Sequence, residues 1–94
     1  MMSKGNRIVE ILIEENPKAI LYDGMDDALI GIYRGDPARS DKASLAVYSY
    51  VKFIEVYVER DGMSGDEAIE FFDYNVDGLI LGSNQPIIID DTGV

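Results

Sequence analysis

Apolar positions along the chain come in short blocks whose spacing switches between helical and extended. Ile8, Ile11, Leu12 and Ile13 mark one face of a segment that Pro17 closes, which predicts a helix over residues 4 to 15 with Ser3 able to cap it. Ala19–Tyr22 and Ala28–Tyr33 are short apolar runs on either side of Asp23, Gly24, Met25, Asp26 and Asp27, a strand, turn and strand pattern. A further run, Ser44–Ser49, is expected to pair with Ala28–Tyr33 as an antiparallel hairpin across the loop Gly35 to Ala43.

Tyr50 to Arg60 carries two signals, because Val51, Ile54 and Val58 follow helical spacing while the valine and tyrosine content favours a strand. The spacing is taken to win, giving a helix that ends at Gly62. Ser64-Gly65-Asp66-Glu67 then spells a capping box, with Asp66 favourable to the helix dipole, and predicts a helix from about Gly65 to Asn75. Past Gly78 the chain turns extended, and Pro86 followed by Ile87, Ile88 and Ile89 predicts a short strand at a sheet edge, with a loose tail at residues 90–94. This order implies one α+β domain over residues 1–94: a small antiparallel sheet of three to four strands with about three helices packed on one face.

Composition narrows the chemistry. The 94 residues are 47% hydrophobic and 28% charged, enough apolar surface for one modest core. Cysteine and histidine are both absent, which removes disulfides, thiolate nucleophiles, the commonest general base and the commonest zinc ligand. The start of the chain lacks the apolar block of a signal peptide, and no run approaches a membrane span. The expectation is a cytoplasmic, non-catalytic protein with no cofactor and no membrane partner.

Charge is uneven as well as high. The formal net charge is −10, and residues 61–94 hold Asp61, Asp66, Glu67, Glu70, Asp73, Asp77, Asp90 and Asp91 but no lysine or arginine. Such a field repels nucleic acid backbones, so no direct nucleic acid contact is expected.

One stretch has the spelling of a calcium loop. Asp73, Asn75 and Asp77 stand at the first, third and fifth positions, Gly78 at the sixth and Ile80 at the eighth. Position twelve, where a bidentate glutamate closes the shell, is Asn84, and Gly82 to Pro86 cannot start the exit helix. The same acids read otherwise as solvated helix-end residues, with Gly78 as a C-cap.

A wider pattern covers residues 23 to 89. Its residues are Asp23-Gly24, Asp26-Asp27-Ala28, Ile30-Gly31, Ala46-Val47-Tyr48, Glu59-Arg60-Asp61-Gly62-Met63-Ser64, Glu67-Ala68, Glu70-Phe71-Phe72, Tyr74-Asn75, Gly78, Gly82 and Pro86. In these the chain resembles a family of small phage-encoded accessory proteins of largely unassigned function. Members often carry an acid where Ser49 stands, a threonine at Gln85 and an apolar residue at Asp77, so the calcium spelling rests on a position the family leaves apolar. The resemblance implies a host-takeover or counter-defence setting in a host cytoplasm, and no reaction.

Three functional readings follow. In the first, the protein sequesters a small nucleotide signal: Tyr33, Tyr48 and Tyr50 stack, Arg34, Arg39, Lys42 and Lys52 meet phosphate, and Asn75 and Asn84 read a base edge. In the second, the acidic final third binds a basic host protein as an inhibitor or adaptor. In the third, Asp23, Asp26 and Asp27 hold magnesium for phosphoryl chemistry, though no base, nucleophile or phosphate-binding glycine loop accompanies them. Open sheet edges also suggest a homo-oligomer.

Overall fold

Residues 4–35 and 44–94 are described by a computed structural model, in the order α1 (Lys4–Glu15), a 3₁₀ turn (Asp26–Ala28), β1 (Leu29–Tyr33), β2 (Leu45–Ser49), α2 (Tyr50–Asp61), α3 (Gly65–Asn75) and β3 (Ile87–Ile89). Ser3 and the segment Asp36–Ala43, including Arg39 and Lys42, lie outside the described residues.

The helix ends form as the local chemistry requires. Ser49 caps α2 by accepting the Lys52 N–H, and Gly62 ends it in the left-handed conformation at φ 70°. The Ser64 capping box is complete, since the Ser64 hydroxyl accepts from the Glu67 N–H and the Glu67 carboxylate accepts from the Ser64 N–H.

The α+β class and the three helices are as expected, but the sheet is mixed. β1 and β2 pair antiparallel, whereas β3 pairs parallel with β2 on its other side, giving the order β1-β2-β3. Two helices and residues 76–86 separate β2 from β3, enough chain for the crossover that a parallel neighbour demands. β3 is an edge strand, and Pro86 just before it removes no ladder donor.

The strand expected at Ala19–Tyr22 does not form. Its amides are spent on scattered partners: Ala19 on the Asn16 carbonyl, Ile20 on the Asn84 carbonyl and Tyr22 on the Tyr48 hydroxyl. A register shift between Leu29 and Gly31 puts one extra residue into β1. This bulge lets both Leu29 and Ile32 share the sheet face of Tyr48 and Ala46.

That face meets the helices. Ile8 and Leu12 of α1, Phe53 and Tyr57 of α2, and Ala68 and Phe72 of α3 form one buried cluster with Leu29, Ala46 and Tyr48. Every residue of the central strand β2 is buried, as a strand with neighbours on both sides should be.

Asn16 is the polar junction of the domain. Its buried amide donates to the Ser44 carbonyl at 2.8 Å and to Asn84 Oδ1 at 3.0 Å, and its Oδ1 accepts from the Lys18 N–H. The end of α1, the start of β2 and the loop before β3 are thereby tied together.

Within the tail expected to be loose from Asp90 on, Asp91 is anchored to the fold. Asp91 accepts from the Ser49 hydroxyl at 2.5 Å and from the Val51 N–H at 3.0 Å, and Thr92 bonds the Asp90 carboxylate. A carboxylate at the first turn of α2 meets a free N–H group and the positive end of the helix dipole.

Gly5 gives a test of this packing. A methyl group there would run into the Asp26 carbonyl, whereas one at Gly65 meets nothing within 4 Å. Alanine is the better helix former, by about 1 kcal/mol in a helix interior and by less in the first turn, where both glycines stand. Gly5→Ala should nevertheless lose about 1–3 kcal/mol through overpacking. Gly65→Ala should not lower the melting temperature, and thermal denaturation of both variants checks the difference in sign.

Candidate functional site

Among the described residues, several of those expected to meet a nucleotide are taken up by the fold. Tyr48 is fully buried, and its hydroxyl accepts the Tyr22 N–H at 2.9 Å, so it offers no free face for stacking. Burial pushes its phenol up to about 12. Arg34 forms a bidentate pair with Glu15 at 2.8 and 2.6 Å, and the Ser44 hydroxyl donates to the same carboxylate at 2.7 Å. Those hydrogen bonds, from Arg34 first and Ser44 second, hold the Glu15 carboxyl down at about 2.

Asn84 is spent on Asn16, and Asn75 donates to the Phe71 carbonyl inside its own helix. Lys52 is exposed on α2 and Tyr33 is partly exposed at the end of β1. Arg39 lies outside the described residues. Tyr50 and Asn75 do line cavities, but different ones.

Tyr50 stands in a cleft of about 310 Å³ between the start of α2, the end of α3 and β3. Phe72 and Ile88 complete an apolar wall, and Asp73, Asp77 and Asp90 bring three carboxylates to it. Tyr50 packs edge-on against Phe72 with ring centroids 5.0 Å apart. Burial and then the negative charges of Asp73, Asp90 and Asp77 push the Tyr50 phenol up from its ordinary value. The cleft is therefore a negative site with an aromatic wall, suited to a cationic group.

The calcium spelling fails on geometry. Asp73 and Asn75 are inside α3, where residues two apart point to different sides, and the chain leads on to a strand with no second helix. Among the described residues, no group of three or more acids is placed to hold a metal ion, Asp23, Asp26 and Asp27 included. Two of these, Asp23 and Asp26, line a separate cavity of about 480 Å³ beside α1 with Tyr22 and Gly24. Among the described residues, no helix is long and apolar enough to cross a membrane.

Comparison with protein-family models, curated proteins and solved structures finds no match to this chain.

Asp73, Asp77 and Asp90 are legible in the sequence as part of an acidic surface, but the wall that makes them a cleft is not. Tyr50, expected to stack on a nucleotide with Tyr33 and Tyr48, begins α2 and turns toward α3. Phe72 carries a weak signal, an apolar residue at core spacing next to Asp73, and Ile88 only that of the middle residue in an apolar run. Asn16 carried none beyond a polar residue before a proline.

Asp91 makes the local electrostatics testable. Hydrogen bonds from Ser49 and then Val51 hold its carboxyl below the ordinary carboxylate range. A depressed folded-state value means that the stabilisation is present above the unfolded value of about 3.9 and is lost as pH falls through the lower folded value. Asp91→Ala should cost the ~1 kcal/mol of a lost helix cap at neutral pH. The gap in melting temperature between the two proteins should narrow on acidification below the ordinary carboxylate range, as read by melts across a pH series.

Proposed function

We propose that the protein is a non-catalytic accessory binding protein whose acidic surface engages a basic partner protein. The observation that carries this reading is the cleft of Tyr50, Phe72 and Ile88 bordered by Asp73, Asp77 and Asp90. It lies in the part of the chain where residues 61–94 include no lysine or arginine to neutralise those acids. A lysine or arginine side chain entering it packs its apolar stem on the rings and sets its charge among the carboxylates. In the phage setting that the resemblance implies, the partner is a host protein and the effect is inhibition or adaptation by occupancy.

A nucleotide fits this surface less well. Its phosphates would enter a negative field, and two of the side chains expected to meet it serve the fold: Tyr48 is in the core and Asn84 is bonded to Asn16. No catalytic step is part of the proposal.

Fluorescence anisotropy with a labelled, arginine- and lysine-rich peptide tests the reading, with a glutamate-rich peptide and free nucleotides as comparisons. The basic peptide should bind, and binding should collapse toward 1 M salt, where the screening length is about 3 Å. Replacing Asp73, Asp77 and Asp90 together by asparagine should weaken it about tenfold, three exposed pairs being worth a few tenths to one kcal/mol each. Binding of nucleotides in preference to basic peptides would overturn the proposal.

A further inference from the structure

We infer that the open groove along the outer side of α3 docks an amphipathic basic segment of the partner, with one bulky apolar side chain seated between Phe71 and Tyr74. This deepens, and rests on, the basic-partner reading above. The groove has a volume of about 340 Å³ and is lined by Met63, Glu67, Glu70, Phe71, Tyr74 and Asn75.

Helical spacing builds it. Ala68 and Phe72 take the inward side of α3, which turns Glu67, Glu70, Phe71 and Tyr74 toward solvent as one stripe. Phe71 is 41% exposed yet held in place, because its ring packs edge-on against Tyr57 at 5.0 Å. Tyr74 is 85% exposed, and among the described residues it makes no hydrogen bond or ring contact. Phe71 is pre-positioned and so adds little ordering cost to binding, and Tyr74 is free to close over an apolar anchor.

Charge decides the occupant. Glu70 makes no ion pair or hydrogen bond among the described residues, and Glu67 uses one oxygen, Oε1, for the Ser64 N–H. A purely apolar partner would cover these carboxylates without pairing them, which is costly. A second copy of this chain would bring another net −10 molecule against the acidic third and be repelled. A segment with an apolar anchor flanked by lysine or arginine one helical turn away satisfies both the rings and the acids.

The test uses the full chain and a labelled helical peptide carrying a single tryptophan anchor between lysines on one face, with a serine-for-tryptophan version beside it. Tyr74→Ala should weaken the tryptophan peptide about tenfold, as loss of an interface anchor does, and the serine peptide little. Glu70→Gln should weaken both peptides and reduce the salt dependence. Circular dichroism melts should match wild type for both variants, since neither side chain is buried.

Retained affinity in Tyr74→Ala, together with loss in the Asp73, Asp77 and Asp90 triple variant, would overturn the groove and leave the basic partner standing. Failure of every cationic peptide to bind would overturn both. A self-associated form that Tyr74→Ala dissociates in sedimentation would overturn the groove's assignment to a basic partner.

Discussion

Four aromatic rings meet Phe53 edge-on at the centre of the domain. Tyr22, Tyr48, Tyr57 and Phe72 lie with centroids 5.3–5.8 Å from it and ring planes inclined by 69–85°. They come from the loop after α1, from β2, from α2 itself and from α3, so one side chain joins most of the chain. Edge-to-face pairs add about 0.5–1.5 kcal/mol each beyond burial, against a total stability of about 5–15 kcal/mol for a domain. The Tyr48 hydroxyl is satisfied by the Tyr22 N–H, so a polar atom enters this core without an unpaired partner.

What the core fixes on its inner side, it presents on its outer side. Phe71 and Phe72 are neighbours on α3 and therefore about 100° apart around the helix. Once Phe72 packs on Phe53 and Tyr50, Phe71 must turn outward, and Glu67, Glu70 and Tyr74 follow it by helical spacing. The same docking sets Asp73 and Asp77 beside Tyr50 and Ile88 in the cleft on the other flank. Both proposed binding features are thus consequences of one buried contact.

The helices were legible because their signals are local. The Ser64 capping box, the Gly62 terminator and the apolar spacing of residues 4 to 15 each act within one or two turns of chain. Pairing partners distant in sequence were not legible. β3 lies parallel to β2 across a long crossover, and Ala19–Tyr22 lends its amides to Asn16, Asn84 and Tyr48 in place of a ladder. Tyr48 shows how a site expectation fails on the same ground: its ring chemistry suits stacking, but in the all-buried strand β2 it faces Phe53 and not solvent. Exposed aromatics were the harder signal still, since the sequence offers Phe71, Phe72 and Tyr74 together and only packing tells which one is inside.

The central claim is that α3 has an inner face that holds the fold and an outer face that binds a basic partner. Titrating isotopically labelled protein with the tryptophan-anchored lysine peptide, and following amide chemical shifts, tests it most directly. Perturbations are expected to concentrate at Met63, Glu67, Glu70, Phe71 and Tyr74 and around Tyr50, Asp73 and Asp77, with Leu12 and Phe53 unmoved. Perturbations centred on Tyr33 and Arg34 at the end of β1, or none at saturating peptide, would contradict it.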